Sequence, residues 1–218
     1  MGPVRSGRTT DVDLAINLSK PVFGYSGSNN GIAAQLQNAE SVGNLVLFRN
    51  TDSSPFVRDS RYSAPDDLFV SPAGLGSCSS ANPAPIFNYG SNNSGTASAA
   101  SSVSFSARDS FRFDWNGSAW VRSQSGSAHV TREGAALDPE NVVVLFTPLV
   151  QQGEFVIQQS ISSGEAWVLR DGTVTVGTYE RERPLDPYTL RDGNGTVINL
   201  APGQTWAVLA PAGTASVG

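Results

Sequence analysis

Residues 111–122 read "FRFDWNGSAWVR", with apolar and polar side chains alternating on both sides of Asn116-Gly117. A period of two is the signature of a strand with one buried face. Asn-Gly supplies the positive φ angles that a type I′ turn needs. A two-residue turn at that dipeptide predicts Phe113 opposite Trp120 as an aromatic cross-strand pair. The device recurs. "WVLRDGTVTVG" (167–177) turns at Asp171-Gly172, which places Trp167 and Leu169 on one face with Val174 and Val176. "YTLRDGNGTVINL" (188–200) repeats it with a longer turn. "NVVVLF" (141–146) is apolar throughout and reads as a central strand buried on both faces. "QTWAVLAP" (204–211) reads as the last strand. Short strands with turn signals at this spacing predict an antiparallel β sandwich or small barrel over residues 103–218.

The amino-terminal part follows another pattern. Thr10 is placed to cap a helix by accepting the amide of Asp13, and Asp11 and Asp13 suit its positive end. Leu14 and Leu18 share a face of that helix, and Pro21 stops it. "VFGYSG" (22–27) reads as a strand. A helix capped by Asn30 follows, with Ile32, Ala33 and Leu36 on one face. "NLVLF" (44–48) is a second strand. Strand, helix and strand at this spacing suggest a βαβ-like unit. Residues 49–102 are loop-heavy, with one short helix expected after Pro65. "GSNNSGTASAASS" (90–102) has the composition of a flexible linker. The fold expected is α+β: a partial α/β domain over 1–89, a linker over 90–102, and a C-terminal antiparallel β domain over 103–218.

Bulk properties narrow the function. A chain of 218 residues buries roughly 70% of its unfolded surface on folding and needs no staple. Its formal net charge is −5 and its pI about 4.8, which disfavours nucleic acid, whose affinity comes from phosphate neutralisation. Cys78 has no partner for an internal disulfide. "LGSC" (75–78) lacks the charged and apolar regions that precede a lipoprotein cleavage box. No run of 18 apolar residues exists to span a membrane as a helix. One His and one Cys do not make a zinc site, and no nucleotide or other cofactor motif is present.

Two stretches carry chemistry. Arg5 and Arg8 stand in "GPVRSGRTTD" (2–11), and Arg58, Asp59 and Arg61 in "FVRDSRYSAPDD" (56–67). Guanidinium forks suit carboxylates and phosphates. The set therefore reads either as an Arg–Asp lattice tying loops together or as a pocket for an anion. Ser6 lies between the first two arginines. Ser26 and Ser28 lie in "GYSGSNNG" (24–31), a strand-to-helix turn whose amides favour an anion; the alternative there is an ordinary capped turn. Convergence of these stretches would favour the pocket. His129, the one histidine, has no nucleophile elbow to serve and reads as structural. Asp66-Asp67, Asp171 and Asp192 are the carboxylates a glycosidase would need, but turn and cap roles account for them. Trp115, Trp120, Trp167 and Trp206 face apolar cross-strand partners and read as core rather than as a sugar platform.

Three stretches resemble the YerB-like lipoproteins, a bacterial family defined by a domain of unknown function. They are "GPVRSGRTTDVDL" (2–14), "FVRDSRYSAPDDLF" (56–69), and the ordered succession over 112–211 of the DW-NGSAWVR hairpin, "AHV", "NVVV", "SGEAWVLRDGTVTVGTYER" and "DGNGTVINLAPGQTWAVLAP". The chain departs from the family pattern at Asp66-Asp67, where His-Asn is usual, and at Thr131, where Asp is usual. No role is carried over at those positions. The resemblance implies an extracytoplasmic protein that is membrane-anchored in its full-length form through a lipid absent from this chain. It also implies that Met1 falls inside the first domain, leaving a hydrophobic edge over 22–48. The functional expectation is a non-enzymatic cell-envelope binding or scaffold module, its partner an anionic small molecule or envelope component held by Arg5, Ser6, Arg8, Ser26, Ser28, Arg58, Asp59 and Arg61. The alternative is a hydrolase or transferase using carboxylates of 56–67 on envelope polymers.

Overall fold

The computed structural model describes residues 1–50, 55–77, 81–91, 94, 96–106, 110–131 and 133–218; Cys78 lies outside them. The chain divides into two compact units, Met1–Pro85 and Ile86–Gly218. This division precedes the expected linker at 90–102, and Ser98–Ala99 within that stretch is a strand of the second unit. Low-complexity composition there does not prevent backbone pairing, which needs no side chains.

In the first unit, helix α1 (Thr9–Ala15) continues as a 3-10 turn over Ile16–Leu18. Strand β1 (Val22–Tyr25), helix α2 (Asn30–Ser41) and strand β2 (Val46–Arg49) then form the βαβ unit, with β1 and β2 parallel. Two capping expectations shift by one or two residues. Arg8, not Thr10, is the N-cap of α1, and the Asp11 carboxylate accepts the Arg8 amide at 2.8 Å. Asn29, not Asn30, caps α2, its Oδ1 accepting from Ile32 N at 2.9 Å. The buried side of α1 and its 3-10 extension is Ala15, Ile16 and Asn17, whereas Leu18 is exposed. β3 (Phe56–Arg58) and β4 (Leu68–Val70) pair antiparallel, and the short helix expected after Pro65 is a 3-10 helix that comes beyond β4, at Pro72–Leu75. The Asp66-Asp67 pair engages arginines rather than capping a helix.

The second unit is built of two sheets. One contains β5 (Ser98–Ala99), β10 (Asn141–Phe146), β13 (Ser163–Arg170), β14 (Thr173–Glu180), β15 (Thr189–Asp192) and β16 (Thr205–Ala210), in the order β15-β14-β13-β10-β16 with β5 beside β14. The other runs β17-β6-β7-β8-β9, from β6 (Ser102–Phe105), β7 (Phe111–Trp115), β8 (Trp120–Gln124), β9 (Ser127–Ala128) and β17 (Ala215–Val217). A separate hairpin joins β11 (Leu149–Gln152) to β12 (Phe155–Gln158). The two large sheets share one core, in which Val103, Phe105, Phe113 and Trp120 meet Val142, Val144, Leu169 and Val208. This is a sandwich; neither sheet closes into a barrel.

β10 is central and buried from Asn141 to Leu145, antiparallel to β13 and parallel to β16. The Asp171-Gly172 turn has the expected register, Trp167 opposite Val176 and Leu169 opposite Val174, with φ of 50° and 67° at the two turn residues. The Asn116 hairpin does not. Asn116 Oδ1 accepts the amides of Ser118 and Ala119, both at 2.9 Å, so the loop holds four residues and Trp115 faces Trp120. Phe113 instead faces Arg122. A slip of two preserves which face each side chain occupies, so the core assignment of Phe113 and Trp120 stands. The "QTWAVLAP" segment forms β16, but β17 follows it.

Candidate functional site

In the first unit, the stretches singled out in the sequence converge. Met1–Val4 lies antiparallel along β4: Val4 N donates to Leu68 O at 2.7 Å, and Val70 N to Met1 O at 2.9 Å. The chain then crosses to the end of β1, where Ser26 N donates to Arg5 O and Gly7 N to Gly27 O, each at 2.9 Å. Gly7 makes this a close crossing: a Cβ there would lie 3.0 Å from Leu36 Cδ1 and 3.4 Å from the Tyr25 ring. A cavity of about 410 Å³ lies under this crossing, with Val22, Phe23, Val70 and Leu75 as apolar wall and Arg5, Ser6 and Asp11 as polar wall.

The two arginine sets meet through the adjacent carboxylates Asp66-Asp67. Arg5 Nη2 lies 2.7 Å from Asp66 Oδ1, with both side chains about half exposed. Arg58 Nη1 donates to both oxygens of Asp67, at 2.6 and 2.8 Å. Arg61 grips Asp59 through Nε and Nη2, and that contact raises the affinity of Arg61 for its proton. Asp59 N donates to Asp67 O at 2.8 Å, which locks the loop. Arg8 turns back on its own chain, Nη1 donating to Gly7 O at 3.2 Å. Ser28 is half-buried just before the Asn29 cap. Exposed ion pairs of this kind contribute about 0–1 kcal/mol each, so the lattice sets loop geometry more than stability. Burial pushes the Asp11 carboxyl above its usual range, against the opposing pull of the Arg8 amide and charge.

The carboxylates of the 56–67 segment that an enzyme would use are thus each held by an arginine: Asp59 by Arg61, Asp66 by Arg5, Asp67 by Arg58. Among the described residues no group of three or more metal-ligating side chains comes together. Sequence reading singled out these arginines. It missed the cavity wall, because Val22, Phe23 and Leu75 carry no local signal beyond hydrophobicity.

The one histidine lies in the second unit. His129 Nδ1 is a hydrogen-bond partner of Arg122 Nη1, whose guanidinium is buried over the rings of Phe111 and Trp206, 4.9 Å from each centroid. Arg122 Nε has no partner among the described residues, and burial lowers the guanidinium's proton affinity. His129 is lowered as well, by burial first and by the Arg122 charge second. Its folded form resists a proton that the unfolded chain accepts below about pH 6.5. The stability involved is therefore present above that value and lost as pH falls through it. The midpoint of urea unfolding is expected to drop as pH falls below about 6.5; in His129→Gln, whose amide oxygen still accepts from Arg122, this drop should vanish. An unchanged pH profile in the variant would contradict the assignment.

The architecture and this site define an α+β protein of two units, a small βαβ unit with an arginine–aspartate junction and a β sandwich. The chain belongs to a family of proteins of unknown function, DUF3048: its N-terminal domain matches residues 1–84 and its C-terminal domain residues 101–207. The crystal structure of the YerB protein from Bacillus subtilis has the same fold, with 17% sequence identity and a TM-score of 0.78 over 100% of this chain and 77% of that one. No curated protein matches the chain.

Proposed function

We propose that the protein is a non-enzymatic binding module of the bacterial cell envelope, lipid-anchored in its full-length form, and that the cavity of its first unit holds a small ligand ending in a carboxylate or phosphate. One observation carries this reading. Arg5 stands in the wall of a largely apolar cavity with only Nη2 engaged, by Asp66, so Nε and Nη1 have no partner among the described residues. A guanidinium with open donors beside Ser6, over Val22 and Phe23, suits a short amphipathic anion.

The test is a titration of the whole chain with acetate, butyrate and inorganic phosphate, followed by backbone amide NMR. Shifts are expected at Arg5, Ser6 and Ser26 in the parent, and none in Arg5→Ala. Arg61→Ala should bind as the parent does, because its fork is already filled by Asp59. Both substitutions remove exposed ion pairs and should leave stability nearly unchanged. No saturable shift in the parent with any of the three anions would end the pocket reading.

A further inference from the structure

The sheet β17-β6-β7-β8-β9 buries one face in the sandwich core and turns the other away from it. Side chains alternate between the two faces of a strand. Phe105 and Phe113 belong to the core and Phe111 packs against it, so their neighbours in sequence stand on the outer face. There the register sets Ser104, Arg112 and Ser123 side by side on β6, β7 and β8. Directly opposed side chains in such a row stand about 4.5–5.5 Å apart, close enough to meet one small ligand. At the end of the row Ser125 N donates to Ser110 O at 2.8 Å, which brings two more serines alongside. Ser104, Ser110, Arg112, Ser123 and Ser125 all line a cavity of about 210 Å³, room for about seven waters at ~30 Å³ each.

The donors around this cavity are largely unspent. Arg112 donates from Nε to Asp114 Oδ1 at 2.6 Å and from Nη1 to Ser104 Oγ at 3.1 Å. Its Nη2 has no partner among the described residues. Ser104 accepts the Arg112 bond, so its own proton points elsewhere. The hydroxyls of Ser110, Ser123 and Ser125 make no hydrogen bond among the described residues. The chain holds 19 acidic residues against 14 basic ones, yet among the described residues no carboxylate lines this cavity. Asp114 steadies the guanidinium from outside the wall. We propose that the cavity binds a tetrahedral oxyanion, a phosphate or sulfate group, with Arg112 supplying the charge and the serine hydroxyls the remaining donors. Such a ligand presents oxygens in several directions, and donors on three neighbouring strands can meet them together. A carboxylate presents two oxygens in one plane and would leave most of the hydroxyls unmatched. The site lies in the second unit and does not depend on the anion reading of the first.

The probes are inorganic phosphate, sulfate, methyl phosphate and acetate, each titrated into the whole chain and followed by backbone amide NMR. Saturable shifts are expected at Ser110, Arg112, Ser123 and Gly126 with phosphate and with sulfate, and acetate should bind there roughly tenfold more weakly. Arg112→Gln should weaken phosphate roughly tenfold. Arg112→Lys keeps the charge without the fork and should weaken it about threefold. Arg191→Gln, which alters another exposed arginine of the same unit, and Arg5→Ala should both leave the shifts at Arg112 unchanged. Arg112 and Asp114 are each about half exposed, so these variants should fold. If Arg112→Gln does not, Ser110→Ala with Ser123→Ala replaces it and should weaken phosphate about threefold. Methyl phosphate separates the sources of the ligand: affinity close to that of phosphate assigns an ester end group, and affinity roughly tenfold lower assigns the free ion. Shifts that never saturate, phosphate binding undiminished in Arg112→Gln, or acetate binding as tightly as phosphate would each overturn the site. Arg5 and Ser6 are read in the same spectra, so failure here and failure of the first unit's pocket are separate results.

Discussion

Replacing Asn141 by leucine is expected to destabilise the C-terminal unit by about 3 kcal/mol, although the side chains are close in size. Asn141 is fully buried at the start of β10. Its Nδ2 donates to Ala201 O at 2.9 Å, with longer contacts to Gln204 O and Thr205 Oγ1. Its Oδ1 accepts from Ala201 N at 2.8 Å. One side chain therefore satisfies both backbone groups of a buried residue that sits just before β16. Leucine would strand the Ala201 N–H and C=O in the interior, and each orphaned group costs about 1–3 kcal/mol. Asn141→Asp keeps the acceptor but loses the donor and buries a charge, so it should be worse still. The measurement is urea unfolding followed by tryptophan fluorescence. All four tryptophans fall in Ile86–Gly218, so the signal reports on that unit alone. A loss below about 1 kcal/mol would show that the loop re-pairs its backbone elsewhere.

Asn141 also marks where sequence reading stops. The run of valines after it announces a buried strand, and the structure agrees because apolar residues at both parities leave no polar face. Nothing in that run announces a parallel neighbour. The β10–β16 pairing joins residues more than sixty positions apart, and an asparagine at a strand's first position looks like a turn residue. The same holds for Arg181, which is buried and donates to the carbonyls of Pro184 and Asp186; in sequence it is one charge in a charged run. Local chemistry was legible where it acts over a few residues. Asp171-Gly172 fixes its hairpin because both residues accept positive φ. Asn116-Gly117 looks the same, but the Asn116 side chain competes for the turn amides and lengthens the loop.

The first unit shows a similar division. The guanidinium-rich stretches were recognisable because arginine and aspartate recur at short spacing, and the structure joins them through Asp66-Asp67. Which acid takes which arginine depends on the β3–β4 register, and that register is set by three residue pairs alone.

The second large effect concerns Trp120. Truncation to alanine is expected to cost about 4 kcal/mol, in the range of buried aromatic-to-alanine changes. Trp120 is wholly buried in the core shared by the two sheets and packs on Trp115 with ring centroids 5.2 Å apart. Trp120→Phe should cost far less, about 1 kcal/mol, and not in proportion to the volume lost. The indole Nε1 is buried without a hydrogen-bond partner among the described residues, so tryptophan carries a desolvation penalty at this position that phenylalanine does not. The void left by the smaller ring and the relief of the orphaned N–H act in opposite directions. The two variants together separate packing from polarity: alanine reads the cavity, and phenylalanine reads the cavity less the unpaired donor. Urea midpoints at constant m-value would give both numbers. If Trp120→Phe proved nearly as damaging as Trp120→Ala, Nε1 must have a partner, and the core would hold a buried water.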